Sequence, residues 1–244
     1  MLRIELVSRY TNSAPTITPR EKTRSFFFIY IILLHLNLNS AITNLKNSRI
    51  GVQWYSKLNI SKFTLYMNLW HDISVGDNVP EEFNTIIEIP RGSFNKYEVD
   101  KETGLIALDR ANYSHVPYPF DYGYAPQTLW EDGDPLDVVL LTTFPLFPGI
   151  LVKVRPVAVM DMTDSGDSDF KIICVPVDDK RWDDVQELKD LNKHNLKEYT
   201  HFFETYKELK GKGDVVKINS IKDKQEAMVA IKKSIELYKA KFNK

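Results

Sequence analysis

Three aspartates fall within six residues in Asp132-Gly133-Asp134-Pro135-Leu136-Asp137, immediately before the apolar, β-branched run Asp137–Thr142. This stretch constrains the fold more than any other. Asp132 and Asp134 share strand parity and Asp137 has the opposite one, so the three carboxylates converge only if the chain bends. Gly133 and Pro135 are residues that make such a bend. Converging carboxylates suit hard divalent cations, which take oxygen ligands. An acidic surface turn has the same composition and stays open as a reading of the motif alone. An EF-hand is excluded, because positions 5, 6 and 12 counted from Asp132 would be Leu136, Asp137 and Thr143 rather than an oxygen donor, Gly and Glu.

Other ionisable groups are spaced so that they can share faces. Asp169 and Lys171 lie one strand step apart after Asp164 and Asp167, and Lys96 and Glu98 do the same around Tyr97. Asp167 reads as a solvated hairpin tip, and Glu88 as the wet side of a strand. Arg110 ends a strand, and a guanidinium can grip phosphate bidentately. Tyr113, Tyr118, Tyr122 and Tyr124 crowd one segment stiffened by Pro117 and Pro119. Phenols can donate to phosphate oxygens, although core packing is the more ordinary reading of each. Tyr206 and its neighbour Lys207 have the same two readings, as core and as solvated charge.

Strand-like runs dominate the first two thirds of residues 67–244: Thr85–Ile89, Lys96–Val99, Leu105–Arg110, Asp137–Thr142, Ile150–Met160 (interrupted by Pro156) and Lys171–Val177. Helical periodicity follows in Leu196, Tyr199, Phe202, Phe203, Tyr206 and Leu209, with Gly211 as the expected stop. Val215–Ile218 reads as one more strand, and Ala227, Ile231, Ile235, Tyr238 and Phe242 as a second amphipathic helix. The pattern predicts an α+β fold in which about five short strands close into a small barrel. Cys174 is the chain's one cysteine, so there is no intrachain disulfide, and it reads as a small buried hydrophobe.

Charge divides the chain. Residues 1–66 carry nine Lys/Arg against two Asp/Glu, a net of +7, and residues 67–244 carry a net of −8. We take 1–66 as an N-terminal extension, disordered, targeting or a non-native start, and 67–244 as the functional domain. The apolar run Phe26–Leu34 is shorter than the roughly 20 residues that span a membrane. A secretory or transit segment, upstream sequence before a natural start at Met67, and a folded appendage all remain open for the extension.

The motifs taken together resemble the family I soluble inorganic pyrophosphatases of compact prokaryotic type. The resemblance rests on Asp132 through Val138 and, in order, on Ile87-Glu88-Ile89-Pro90, Lys96-Tyr97-Glu98, Asp109-Arg110, Tyr118 through Tyr124, Met162 through Lys171, and His201 through Lys207. It implies a five-stranded barrel of oligonucleotide-binding-fold type with two flanking helices. It implies an enzyme that hydrolyses pyrophosphate with a metal-activated water, several Mg2+ per site (Mn2+ as a substitute), a homohexamer, and a cytoplasmic location. By the resemblance Asp134 is the general base. Asp132, Asp137, Asp169, Asp164 and Glu98 hold metal. Lys96, Arg110, Tyr122, Tyr206 and Lys207 contact phosphate, while Glu88, Tyr118 and Lys171 line the site. Asp121 stands where Asn is expected, adding negative charge near the site, and Tyr124 stands for the usual Phe.

Two other functions fit parts of the pattern. Small barrels bind single-stranded nucleic acid through aromatic stacking and a basic groove, but the −8 charge of residues 67–244 opposes a phosphate backbone. A structural calcium-binding domain would bind the cation tightly and hydrolyse nothing. Neither nucleic acid nor a membrane is expected as a partner of the domain.

Overall fold

The computed structural model describes residues 67–211 and 215–242. The readings for residues 1–66 lie outside the described residues. Eight strands are described: β1 (Phe83–Ile89), β2 (Asn95–Val99), β3 (Ile106–Ala111), β4 (Asp121–Tyr124), β5 (Asp137–Leu140), β6 (Leu151–Asp164), β7 (Asp167–Pro176) and β8 (Val216–Asp223). The two α-helices are α1 (Lys193–Thr205) and α2 (Lys224–Phe242).

The main sheet runs β1-β4-β5-β7-β6-β8, and β1 also pairs with β6. Pairing therefore returns to its start through five strands, β1-β4-β5-β7-β6-β1, as the expected barrel requires. β8 extends the sheet along the far half of β6, and β2 with β3 forms a separate two-stranded sheet. Pro156 does not end β6, because a register shift between Pro156 and Ala158 absorbs the missing backbone donor.

β4 was not expected as a strand. Its four residues, Asp-Tyr-Gly-Tyr, are all buried, so no alternation marks them. Gly123 is required by the close approach of β1, since a Cβ there would lie 1.9 Å from the Ile86 carbonyl oxygen. α1 starts at an Asn192 cap that accepts from the His194 and Asn195 amides at 2.8 and 3.3 Å. It ends at Thr205 rather than Leu209, and a tighter 3-10 turn over Glu208–Lys210 leads to Gly211.

Alternation along β5 and β7 sends their side chains into two of the three buried clusters. Val139, Ile173 and Val175 face one core, closed by Tyr199, Phe202, Phe203 and Tyr206 at α1. Val138, Leu140, Ile172 and Cys174 face the other, closed by Ala227, Ala230 and Ile231 of α2. These runs read as unbroken apolar stretches because both strand faces are covered. Cys174 is a free, fully buried thiol whose burial pushes its pKa up.

Candidate active site

The α1-side core ends in charge. Asp137 has the parity of Val139 on β5, and Asp169 and Lys171 have that of Ile173 on β7. β5 and β7 are parallel with Asp137 opposite Lys171, so the two side chains emerge side by side. Asp164 follows Met160 and Met162 on the same face of β6. The Lys171 ammonium, with its side chain only 4% exposed, bridges the carboxylates of Asp137 and Asp169. Lys207, just past α1, pairs with Asp164.

Two irregularities in the ladders aim further groups here. The β1–β4 register shifts between Ile87 and Ile89, placing Glu88 in a bulge. Its carboxylate is thereby buried and accepts the Val99 amide at 2.6 Å, which corrects the reading of Glu88 as a strand's wet side. In the β2–β3 sheet Lys96 faces Arg110 and Tyr97 faces Leu108, leaving Asp109 as the extra residue. Asp109 lies 3.4 Å from the Lys96 ammonium and also takes the Arg110 guanidinium. Lys96 pairs in addition with Glu98, which is half exposed.

Buried phenols border the cluster. Tyr118, Tyr122 and Tyr206 are 2, 7 and 8% exposed, and the Lys171 ammonium lies 5.7 Å from the centre of the Tyr122 ring. Burial raises the pKa of all three. Asp137 raises Tyr118 and Tyr122 further, and Asp164 and Asp169 raise Tyr206. The phenols therefore stay protonated and act as hydrogen-bond donors. Tyr122 spends part of that capacity on Asp137.

The carboxylates exceed the cations that face them. Protein atoms crowd Asp132 although its edge meets solvent, and with Asp169 and Asp137 nearby its pKa is pushed up to about 6. Burial is the largest cause raising Asp137 and Glu88, with Asp169 adding to the first and Asp137 to the second. Lys171 is held above its ordinary pKa by Asp137 and Asp169, which outweigh its burial. Among the described residues no three His, Cys, Asp or Glu side chains are already drawn into a metal cage. The oxygen-only donors Asp132, Asp137 and Asp169, crowded and short of positive charge, nevertheless fit a hard divalent cation.

Asp134 sits at the edge of this cluster. Gly133 takes φ +93°, the Asp134 amide donates to Asp132 Oδ1 at 3.0 Å, and the loop closes on Trp130. The Asp134 carboxylate, half exposed, pairs with Lys101 from the turn between β2 and β3. Lys101 carried no signal of its own in the sequence, and Asp109 entered only as part of the Asp109-Arg110 motif without a role, because a hairpin turn and a bulge decide where they point. Asp121 is fully buried, and its partners are the Arg91 and Leu146 amides at 3.0 and 2.9 Å and the Thr142 hydroxyl. None of these belongs to the cluster.

Residues 85–239 match the family model described as inorganic pyrophosphatase. An inorganic pyrophosphatase of Haloferax volcanii is 43% identical over 176 residues, 72% of this chain and 99% of that one. A soluble inorganic pyrophosphatase of rice, Oryza sativa, is 44% identical over 171 residues, 70% of this chain and 79% of that one. The crystal structure of an inorganic pyrophosphatase from Thermus thermophilus superposes with a TM-score of 0.69 at 44% identity, covering 71% of this chain and 99% of that one.

Proposed function

This chain belongs to the inorganic pyrophosphatase family, and we infer that it hydrolyses inorganic pyrophosphate to two phosphates at the Asp132–Asp137–Asp169 cluster. The observation that carries the reading is an excess of carboxylates around one buried lysine, bordered by Arg, Lys and protonated Tyr side chains. Such a site is anionic by itself, yet has the donors a phosphate needs. It therefore calls for divalent cations, which we take to be Mg2+, with Mn2+ also suited to oxygen ligands.

Asp132, Asp137 and Asp169 would hold the main cation, with Asp164 and Glu98 assisting further ones. When bound, the cations neutralise substrate charge and make the attacking water easier to deprotonate. Asp134, at the solvent edge of the acidic loop, accepts the proton of that water as general base. Arg110 and Lys96 bind phosphate oxygens, Arg110 with planar bidentate geometry. Tyr122, Tyr206 and Lys207 donate to the same oxygens, and these preformed dipoles stabilise charge spreading onto the leaving phosphate. Glu88, Tyr118 and Lys171 hold the walls: Glu88 on the Val99 amide, Tyr118 under α1, and Lys171 between two aspartates. Attack by water requires no covalent enzyme intermediate.

A stacking platform for single-stranded nucleic acid is not favoured, because Tyr118, Tyr122 and Tyr124 are buried rather than offered to bases. We further propose that residues 67–244 carry the activity alone, and that the enzyme is cytoplasmic and a homohexamer. Exposed Phe144 and Phe147 offer apolar surface for subunit contacts. Among the described residues no helix is long and apolar enough to cross a membrane. The test is phosphate release from pyrophosphate with Mg2+ and with excess EDTA, using the full chain and residues 67–244, with light scattering for the assembly. Release that EDTA abolishes supports the reading, and a folded, Mg2+-loaded protein that releases nothing refutes it.

A further inference from the structure

The parallel β5–β7 ladder starts at Asp137 opposite Lys171, so the backbone itself holds Asp137 near Asp169. Asp132 lies five residues before that ladder, in a loop. What ties this loop to β7 is aromatic. The Trp130 indole stacks on Phe170 with centroids 4.9 Å apart and planes 26° from parallel, and its Nε1 donates to Ser168 Oγ at 3.3 Å. The loop is hung on the same residue, since the Trp130 amide donates to the Asp134 carbonyl at 2.7 Å and the Gly133 amide to the Trp130 carbonyl at 3.1 Å.

Strand alternation sends Phe170 to the face opposite Asp169 and Lys171, so the stack grips β7 from behind the site. Two ammonium groups close the column: Lys233 lies 4.9 Å from the Trp130 ring centre and Lys222 lies 5.6 Å from that of Phe170. Each lysine is tied in turn, to Glu131 and to Asp161.

We infer that the Trp130–Phe170 stack is a positioning element that sets Asp132 against Asp169, and so sets the affinity of the cluster for a divalent cation. The inference rests on the metal reading of this site above. Partners that orient ligands from behind commonly govern affinity by roughly 10–100-fold. The stack lies on the face of β7 away from Asp169 and Lys171, so it acts through the two aspartates.

The test uses the full chain with Phe170→Leu, which keeps apolar volume but cannot stack, and Trp130→Phe, which can. Mn2+ binding to cation-free protein is measured by calorimetry without substrate, and kcat at saturating Mg2+. Phe170→Leu is expected to weaken the first Mn2+ by roughly 10–100-fold and to leave kcat within about threefold. Trp130→Phe should stay within about threefold of the parent in both. If Phe170→Leu does not fold, Trp130→Leu makes the same comparison. Unchanged Mn2+ affinity in a folded, non-stacking variant of a parent that does bind Mn2+ overturns the inference and leaves the metal reading standing. A loss of kcat at unchanged affinity also overturns it. A parent that binds no Mn2+ overturns both.

Discussion

Asp121 offers a sharp test of how β4 is held. Its Oδ1 accepts both the Arg91 and Leu146 amides, at 3.0 and 2.9 Å, and its Oδ2 takes the Thr142 hydroxyl. The Arg91 guanidinium then reaches the Thr142 and Thr143 carbonyls at 3.1 and 3.0 Å, so one carboxylate fastens two loops to the end of β4. Asp121→Ala leaves two amides and a hydroxyl without their acceptor. The hydroxyl can rotate and the amides are partly shielded, so a loss of about 3 kcal/mol is expected from stranded donors that cost 1–3 kcal/mol each. For a domain of this size that lowers Tm by about 6–12 °C. Asp121→Asn keeps an oxygen for both amides and turns an NH2 toward Thr142, so it should cost within about 1 kcal/mol. Both variants should keep kcat within about threefold at 25 °C, because the carboxylate contacts no residue of the site. Thermal and urea melts of the three proteins decide the matter. An Asn variant as unstable as the Ala variant would refute the acceptor argument, and so would an Ala variant within 1 kcal/mol of the parent.

Three further outcomes are expected. Asp134→Asn should lower kcat by about 10²–10⁴-fold at saturating Mg2+. Its unfolding midpoint should barely move, since the Lys101–Asp134 pair is half exposed and such pairs contribute about 0–1 kcal/mol. Gly123→Ala would drive a Cβ to 1.9 Å from the Ile86 carbonyl and force β1 from β4, at a cost above about 3 kcal/mol read from urea melts. Cation-free protein should become less stable as pH rises from about 4 to 6, because Asp132, raised to about 6 in the fold, binds more protons folded than unfolded there. Asp132→Asn should flatten that part of the Tm profile, and a profile unchanged by the substitution would contradict the assignment.

The sequence already showed most of the strands and both helices, because alternation and the three- and four-residue steps of apolar side chains survive in one dimension. It also showed the three aspartates, whose six-residue span needs no fold to be noticed. What it did not show depends on breaks in regularity. β4 is buried on all sides and carries no period. Glu88 looked wet until the bulge at Ile87–Ile89 turned it inward. Asp121 is read in the sequence by its charge alone, and only its place in β4 shows that its hydrogen bonds go to two loops.

The chain by itself determined which chemical groups are present and their local order: oxygen donors before a strand, phenols between prolines, a lysine two residues after an aspartate. Only the tertiary structure decided which of them share a space. Asp137 and Lys171 are 34 residues apart and meet because β5 and β7 are parallel and in register. Lys101 reaches Asp134 from the β2–β3 turn, and Trp130 meets Phe170 behind the site. Parity along a strand is a local property written in the sequence. Register between strands depends on the packing of the whole barrel, where a one-residue slip would turn every side chain to the other face.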